Sequence, residues 1–120
     1  MKPPEIVTAF YAAGEAGDLE AIAGFFAEHA VWDNRISDDP MGGVYDGLAS
    51  IRAGLLEPLF SFLPDGIKTE IERVVESGDT VLCLNTGRGT TIQGEAFEKQ
   101  YAHIFDCSDG KIVRVTEFRS

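Results

Sequence analysis

Apolar residues in the first part of the chain recur with the period of an α-helix. Ile6, Ala9, Phe10 and Ala13 fall on one helical face, which predicts a first helix over residues 4–16. Prolines at the start of this segment are compatible with a helix, because the N–H groups of a first turn have no intrahelical partner.

Two further helices are predicted before residue 66. Gly17 suits a helix C-cap and Asp18 an N-cap, so the second helix begins at once. A short strand at 30–34 and a loop at 35–45, rich in turn residues, separate it from the third helix. The apolar faces consist of Leu19, Ile22, Ala23 and Phe26 in the second helix, and of Leu48, Ile51, Leu55 and Leu59 in the third.

The second half of the chain changes to strand-like segments bounded by turn residues. The pattern predicts strands near 67–76, 80–91, 95–106 and 111–119, with turns at Ser77-Gly78-Asp79 and Ser108-Asp109-Gly110. Three helices followed by a meander indicate an α+β fold. We expect the three N-terminal helices to pack on one side of a strongly curved, mostly antiparallel sheet.

Length and composition fit one globular domain over residues 1–120. Hydrophobic residues make up 44% of the chain and charged residues 25%. No segment approaches the roughly 18 apolar residues of a membrane span, and residues 1–5 lack the apolar region of a signal peptide. The sequence therefore predicts a cytoplasmic protein.

Charge and cysteine usage narrow the range of partners. Twenty acidic residues against ten basic ones give a formal net charge of −10, which disfavours nucleic-acid and membrane partners. Cys83 and Cys107 lie in predicted strands and are expected to be buried free thiols. Two cysteines and two dispersed histidines do not form a zinc-site pattern, so neither a metal nor a cofactor is expected.

The last predicted strand combines an apolar beginning with a charged end on one face. Residues two apart share a face, so Val113, Val115, Glu117 and Arg119 lie together. Apolar residues leading to an acid and a base indicate a core that opens into a pocket. The alternative is that Glu117 and Arg119 are rim residues near a chain end.

Two stretches of the chain resemble a known superfamily. The helical run from Phe10 to Ile22 contains Ala16-Gly17-Asp18, and the chain ends with Asp109-Gly110-Lys111-Ile112. Both are similar to the nuclear transport factor 2-like superfamily, which includes ketosteroid isomerases, limonene epoxide hydrolases and SnoaL-like polyketide cyclases. The resemblance implies a cone-shaped, cystatin-like fold. It also implies that Glu117 matches the catalytic acid of the epoxide hydrolases and cyclases.

The same comparison argues against ketosteroid isomerase chemistry. The oxyanion-binding tyrosine of those enzymes falls on Phe10, their proton-shuttling aspartate on Asn34, and their second acid on Ala102. Phenylalanine and alanine side chains cannot donate a hydrogen bond to a dienolate, and an amide cannot abstract a proton.

The epoxide hydrolase pattern is retained in part. Trp32 and Asn34 stand where those enzymes hold a water with a tyrosine and an asparagine. When the strand faces are counted from Leu82 and Leu84, Arg88 points into the cone beside Glu117. The predicted catalytic residues are thus Glu117, Asn34 and Arg88, and the predicted substrate-binding residues are Trp32, Phe10, Arg119, Ala102 and Val115.

His103 has two interpretations. The isomerase comparison places Ala102 and Ile104 inside, which turns Tyr101 and His103 to the outer sheet face that relatives use for dimerisation. A homodimer with these two residues near the contact is the prediction. A β-bulge would reverse the faces and make His103 a candidate base.

The resemblance implies a small-molecule pocket protein of the SnoaL-like group. We expect a cofactor-independent enzyme that transfers a proton or adds water, of isomerase, cyclase or hydrolase type, acting on a small apolar organic substrate. The alternative is a non-catalytic ligand-binding or association module on the same fold. Convergence of Glu117, Asn34 and an arginine on one enclosed cavity would favour the enzyme.

Overall fold

The computed structural model describes residues 1–119, which form helices followed by a six-stranded sheet. In chain order the elements are α1 (Pro3–Ala16), α2 (Leu19–Gly24), β1 (Phe26–Asn34), β2 (Gly43–Asp46), α3 (Leu48–Ile51), a π-helical segment (Arg52–Leu56), α4 (Glu57–Phe62), β3 (Lys68–Ser77), β4 (Thr80–Thr90), β5 (Ala96–Ser108) and β6 (Lys111–Arg119).

The junction between α1 and α2 forms as its sequence predicts. Gly17 has φ 66°, and its N–H bonds to the carbonyls of Ala13 and Gly14. The Asp18 carboxylate accepts a hydrogen bond from the backbone N–H of Ala21 at 3.1 Å. Glycine at the left-handed C-cap and aspartate at the N-cap therefore allow two helices to meet without a loop.

The sheet has the order β2-β1-β6-β5-β4-β3. β1 and β6 run parallel, and the other neighbouring pairs are antiparallel. The predicted α+β class, with helices packed on a mostly antiparallel sheet, is confirmed.

Three boundaries differ from the prediction. The third helical region is divided into α3, the π-helical segment and α4. β1 begins at Phe26, which pairs with Ile112, so this residue leaves the predicted face of the second helix. Part of the predicted 35–45 loop forms β2, because the edge of β1 is available for pairing with residues 43–46.

A β-bulge sets which residues of β6 face the core. Asp106 pairs with Arg114 and Cys107 with Ile112, so Val113 is the extra residue on β6. Ile112 and Val115 are consequently both fully buried although they are three residues apart. The predicted inward direction holds from Val115 onward, but Val113 belongs to the bulge.

The core fills the space between the helices and one face of the sheet. The Phe10 ring lies 5.3 Å from Tyr11 and 5.4 Å from Phe105, measured between centroids, both in edge-to-face contact. Cys83 and Cys107 are free and buried, as predicted. The opposite sheet face is partly exposed, and Leu84 and Phe118 are 37% and 39% accessible there.

No helix in residues 1–119 is long and apolar enough to cross a bilayer.

Candidate active site

A cavity of about 810 Å³ lies between α1, the third helical region and the core-facing side of the sheet. This volume is in the usual range for small-molecule sites. The apolar part of its lining includes Phe10, Ile22, Leu55, Leu56, Leu59, Phe60, Phe62, Ile67 and Phe97. The polar groups that concern its chemistry are Tyr11, Trp32, Asn34, Asn85, Tyr101, His103, Glu117 and Arg119.

Glu117 is the carboxylate held most firmly in this cavity. It lies opposite His103 in the β5–β6 register and beside Asn34 in the β1–β6 register. Its Oε1 accepts a hydrogen bond from Trp32 Nε1 at 3.2 Å, and its Oε2 lies 2.8 Å from His103 Nε2. The side chain is buried yet lines the cavity, so its placement agrees with the prediction from strand parity.

The contacts of His103 define its tautomer. Nε2 faces Glu117, a hydrogen-bond acceptor, so it carries the proton. On the other side of the ring, Nδ1 lies 2.7 Å from Tyr11 Oη and 3.0 Å from Asn85 Nδ2. Because the Asn85 amide nitrogen can only donate, Nδ1 is the acceptor of the ring, and its single lone pair is shared between Tyr11 and Asn85.

Tyr11 and Asn85 complete the network behind His103. Asn85 Nδ2 donates to Tyr11 Oη at 3.2 Å and reaches the Cys83 carbonyl at 3.4 Å. Tyr11 in turn donates its hydroxyl proton to His103 Nδ1. Burial, followed by the nearby Cys83 thiol, raises the pKa of Tyr11, which keeps the phenol protonated. A continuous chain of donors thus ends at the Glu117 carboxylate.

Tyr101 is the phenol with an unused hydroxyl group. Its ring stacks on His103 with centroids 5.2 Å apart and planes 15° from parallel. Burial, and then the negative charge of Glu117, raise the pKa of Tyr101. In residues 1–119 no protein group accepts or donates a hydrogen bond at its oxygen. The hydroxyl is a protonated donor available to a ligand.

Asn34 lines the cavity but uses both ends of its amide to hold the 35–42 loop. Its Nδ2 donates to the Met41 carbonyl at 3.0 Å, and its Oδ1 accepts from the Ile36 N–H at 3.0 Å. Tyr45 Oη also donates to the Met41 carbonyl, at 2.7 Å. One N–H of Asn34 is left for a water or a substrate oxygen.

The other predicted substrate-binding residues differ in position. Phe10 lines the cavity, and so does Arg119, whose Nη2 lies 3.1 Å from Asp38 Oδ1. Trp32 also lines it, but its N–H is directed to Glu117. Val115 is fully buried in the core.

Arg88 does not point into the cone, contrary to the prediction. It is half exposed, and its guanidinium bonds Glu98 at 2.6 Å and Glu70 at 3.3 Å on the outer side of the sheet. Both faces of β4 carry apolar residues near its start, so alternation alone does not identify the inner one. The inward set includes Cys83, Asn85 and Gly87, which turns Arg88 outward.

The predicted faces of β5 are also reversed. Tyr101 and His103 line the cavity, whereas Ala102 lies on the outer face between Leu84 and Phe118 in the strand register. The isomerase comparison had aligned β5 without gaps. His103 is therefore a cavity residue, and Ala102 does not touch the site.

Two cavity residues, Tyr11 and Asn85, were not among the predicted site residues. Tyr11 follows Val7 by one helical turn, and Val7 is buried. Asn85 shares a strand face with the buried residues Val81 and Cys83. A polar residue on that buried face could have indicated a site residue. In residues 1–119 no group of three or more His, Cys, Asp or Glu side chains could hold a metal.

The tyrosines predict a loss of stability at high pH. Burial raises the pKa of Tyr11 and Tyr101 above the ordinary value of 10.0. Below pH 10 the tyrosine hydroxyls are protonated in both the folded and the unfolded state, so the free energy of unfolding has its full value. Above it the unfolded chain releases protons that the folded chain retains, so the free energy of unfolding falls by about 1.4 kcal/mol per pH unit per tyrosine.

Guanidinium unfolding between pH 9 and pH 11 measures this slope, which Tyr101→Phe should reduce. The pKa of the third tyrosine, Tyr45, is also raised, by burial and then by Asp39. Tyrosinate absorbance should therefore develop together with unfolding. Absorbance that rises near pH 10 while the protein is still folded would contradict the prediction.

Comparison with known proteins identifies the family. Residues 7–115 match the SnoaL-like domain, and the chain belongs to this family. No curated protein matches the sequence.

Solved structures with the same fold cover nearly the whole chain. An NTF2-like protein from Burkholderia thailandensis E264 has 27% identity and a TM-score of 0.82, covering 100% of this chain and 92% of its own. TerC, co-crystallised with polyporic acid, has 24% identity and a TM-score of 0.80, with coverages of 98% and 91%. A candidate SnoaL-like polyketide cyclase from Jannaschia sp. CCS1 has 16% identity and a TM-score of 0.78, with coverages of 98% and 85%.

Proposed function

We propose that this SnoaL-like domain is a cofactor-independent enzyme that moves a proton on a small, largely apolar carbonyl compound. Glu117 is the general base that removes a proton from the carbon next to the carbonyl. The protonated Glu117 then returns the proton to another atom of the same molecule, so the reaction is an isomerisation or the enolisation step of a cyclisation. One observation carries the proposal: a carboxylate held by two protein donors at the wall of an apolar cavity.

The hydrogen bonds of Glu117 leave room for this role. A carboxylate has about four lone-pair positions, and Trp32 and His103 occupy two of them. The remaining positions are available to a substrate C–H in the cavity. Trp32 and His103 fix the orientation of the carboxylate, and they act as positioning residues in the proposed mechanism.

Tyr101 is suited to stabilise the enolate oxygen that forms. A neutral phenol donates a hydrogen bond to developing negative charge, and the raised pKa of Tyr101 preserves this donor. The Tyr101 ring also stacks on His103, which in turn contacts Glu117. His103 thus contacts both the proposed base, Glu117, and the proposed oxyanion donor, Tyr101. The free N–H of Asn34 is a second candidate donor.

The comparisons support an organic ligand for the cavity. TerC was crystallised with polyporic acid, and the Jannaschia protein is a candidate polyketide cyclase. Proton transfer next to a carbonyl is compatible with both kinds of molecule.

Deuterium exchange tests the proposed reaction without knowledge of the natural substrate. Cyclic and aryl ketones such as 2-tetralone are incubated with the protein in D₂O, and NMR follows the loss of their α-proton signals. We expect exchange faster than in buffer for the ketones that bind. Trp32, the only tryptophan, lines the cavity and reports their binding through its fluorescence.

A non-catalytic ligand-binding module is the second candidate. It is favoured by the many apolar side chains of the lining, which would retain an organic molecule without any reaction. Ketones that quench Trp32 fluorescence without any exchange would support this module and contradict the enzyme.

We also propose that the chain forms a homodimer through the outer face of the sheet. Leu84, Ala102 and Phe118 follow one another across three strands and form an apolar row on that face. The Arg35 guanidinium lies 5.9 Å from the Phe118 ring centroid at the end of the row. Apolar surface of this kind is typical of protein interfaces. These residues replace Tyr101 and His103 at the predicted contact.

Phe118→Asp should weaken this dimer. Placing a carboxylate in an apolar contact is expected to cost at least about 2 kcal/mol, which is about a 30-fold rise in dissociation constant. Sedimentation at micromolar concentration should give twice the 13.0 kDa chain mass for the wild type and a larger monomer fraction for the variant. Val44→Asp, at an exposed position of β2, is the control. A wild-type protein that sediments as a monomer would exclude the dimer.

A further inference from the structure

One end of the cavity has a polar arrangement that the proposed reaction does not use. Thr69, Gly87 and Lys99 are paired across three neighbouring strands, β3, β4 and β5, and all three line the cavity. Thr69 and Lys99 are partly buried. A hydroxyl group and an ammonium group therefore flank a glycine at the cavity wall.

Lys99 has no carboxylate partner. In residues 1–119 no Asp or Glu oxygen lies within salt-bridge distance of its Nζ, which is 6.0 Å from the centroid of the Phe97 ring. The adjacent acid, Glu98, is on the other side of the strand and pairs with Arg88. No carboxylate of the described residues therefore neutralises the Lys99 ammonium group at the cavity wall.

Gly87 lies between the two polar side chains in the strand register. A Cβ atom at this position would lie 2.8 Å from Ile67 Cδ1 and 3.3 Å from Tyr101 Cε2. Because Gly87 has no side chain, Ile67 and Tyr101 pack closely over β4 between Thr69 and Lys99. The ring of Phe97 and the side chain of Ile67 form apolar walls next to it.

The Glu117 carboxylate lies toward the opposite end of the cavity. Glu117 faces His103, and His103 lies four residues after Lys99 on β5. At about 3.3 Å per residue, the two ends are about 13 Å apart along the strand. Arg119, the other cation of the lining, already pairs with Asp38. Along β5, the Glu117 carboxylate and the Lys99 ammonium group therefore lie toward different ends of the cavity, and Asp38 and Asp39 of the 35–42 loop also belong to the lining.

We propose that the ligand is an apolar, ring-bearing organic anion, and that Lys99 and Thr69 bind its anionic oxygen group. The Lys99 ammonium supplies the charge, and the Thr69 hydroxyl donates a second hydrogen bond. The rings occupy the apolar middle of the cavity, and the far end of the molecule reaches Glu117. The reaction of the far end at Glu117 rests on the proposed function. The binding of the anionic group by Lys99 and Thr69 does not depend on it.

Two fluorescent probes with one ring system test the subsite. 8-Anilinonaphthalene-1-sulfonate carries an anionic oxygen group, and N-phenyl-1-naphthylamine has the same rings without it. Energy transfer from Trp32, the only tryptophan, reports probe binding, and the comparison with Lys99→Met assigns it to the cavity. We expect the wild type to bind the sulfonate with one molecule per chain and more tightly than the neutral probe.

Lys99→Met removes the charge and keeps an apolar side chain of similar length. It should weaken sulfonate binding about tenfold, the effect of one charge-assisted hydrogen bond. Binding of the neutral probe should stay unchanged, which also shows that the variant is folded. Lys68→Met, on an exposed position of β3, is the matched control and should leave both affinities unchanged.

The possible results separate the subsite from the proposed reaction. Equal affinities of wild type and Lys99→Met for the sulfonate, or equal losses for both probes, would overturn the anion subsite. Ketone exchange that depends on Glu117 would leave the proposed function intact in that case. If Lys99→Met loses affinity for the sulfonate probe alone, and the wild type catalyses no ketone exchange, the subsite is supported and the proposed reaction is contradicted.

Discussion

Glu117→Gln is expected to lower the rate of ketone exchange by about 10²–10⁴-fold, the usual contribution of a general base. The substitution keeps the size of the side chain but removes the group that takes the substrate proton. Trp32 and His103 then still orient a side chain at this position, but an amide cannot act as the base. The rate of α-proton loss in D₂O, at saturating ketone, measures the effect.

The fold should survive this substitution. The glutamine carbonyl can accept from Trp32 Nε1, whereas its amide faces the Nε2–H of His103, so His103 and Asn85 must rearrange to accommodate the added donor. The rearrangement of one buried network costs about 1–2 kcal/mol. Circular dichroism and the fluorescence of Trp32 should therefore remain native-like. Glu76→Gln, at an exposed position of β3, is the matched control, and it should exchange ketones at the wild-type rate.

Glu117→Asp tests whether the exact position of the carboxylate matters in addition to its presence. It retains the base but shortens the side chain by one methylene, so the carboxylate cannot keep both the Trp32 and the His103 hydrogen bonds at 3.2 and 2.8 Å. We expect a rate between those of wild type and Glu117→Gln. A Glu117→Gln protein that exchanges ketones as fast as the wild type would exclude Glu117 as the base.

Local signals in the sequence were sufficient for most of the fold. The Gly17–Asp18 junction, the polar turns between strands and the period of the apolar residues each depend on neighbouring residues only. The placement of Glu117 was predicted from the sequence of β6, whose inner face is apolar up to the acid. The bulge at Val113 does not disturb this prediction, because it lies before the site in the chain. The family resemblance supplied the position of the acid independently.

The inner faces of β4 and β5 could not be predicted in the same way. Both faces of these strands carry apolar side chains, because one side packs on the core and the other forms the apolar row of Leu84 and Ala102. Period-two alternation then fits either choice. Arg88 was therefore assigned to the wrong side when the faces of β4 were counted from Leu82 and Leu84, and His103 when the isomerase comparison placed Ala102 inside.

The network around Glu117 depends on contacts between distant parts of the chain. Tyr11 lies on α1 and His103 on β5, 92 positions apart, and their hydrogen bond exists only because α1 packs across the sheet. No local pattern encodes that pairing. The same holds for the contact of Trp32 with Glu117, 85 positions apart.

The turn before β3 provides the second large effect, this time on stability. Gly66 has φ +89°, and a Cβ there would lie 2.6 Å from the Glu15 carbonyl oxygen and 2.7 Å from that of Gly14. Both are backbone atoms at the end of α1, so they cannot move aside as a flexible side chain would. The next residue, Ile67, donates its N–H to the Gly14 carbonyl at 3.0 Å and lines the cavity. Gly66 thus joins α1 to the part of the cavity wall that Ile67 forms.

Gly66→Ala is expected to lower the free energy of unfolding by about 3–4 kcal/mol, combining backbone strain with overpacking. Gly94→Ala separates the two causes, because Gly94 has a similar φ of +82° and nothing lies within 4 Å of its added Cβ. That variant should lose only about 1–2 kcal/mol, the cost of the left-handed conformation alone. Guanidinium unfolding of the two variants measures the difference. Equal losses would mean that α1 yields at Gly14 and Glu15, and that the close contact at Gly66 does not hold the helix against the sheet.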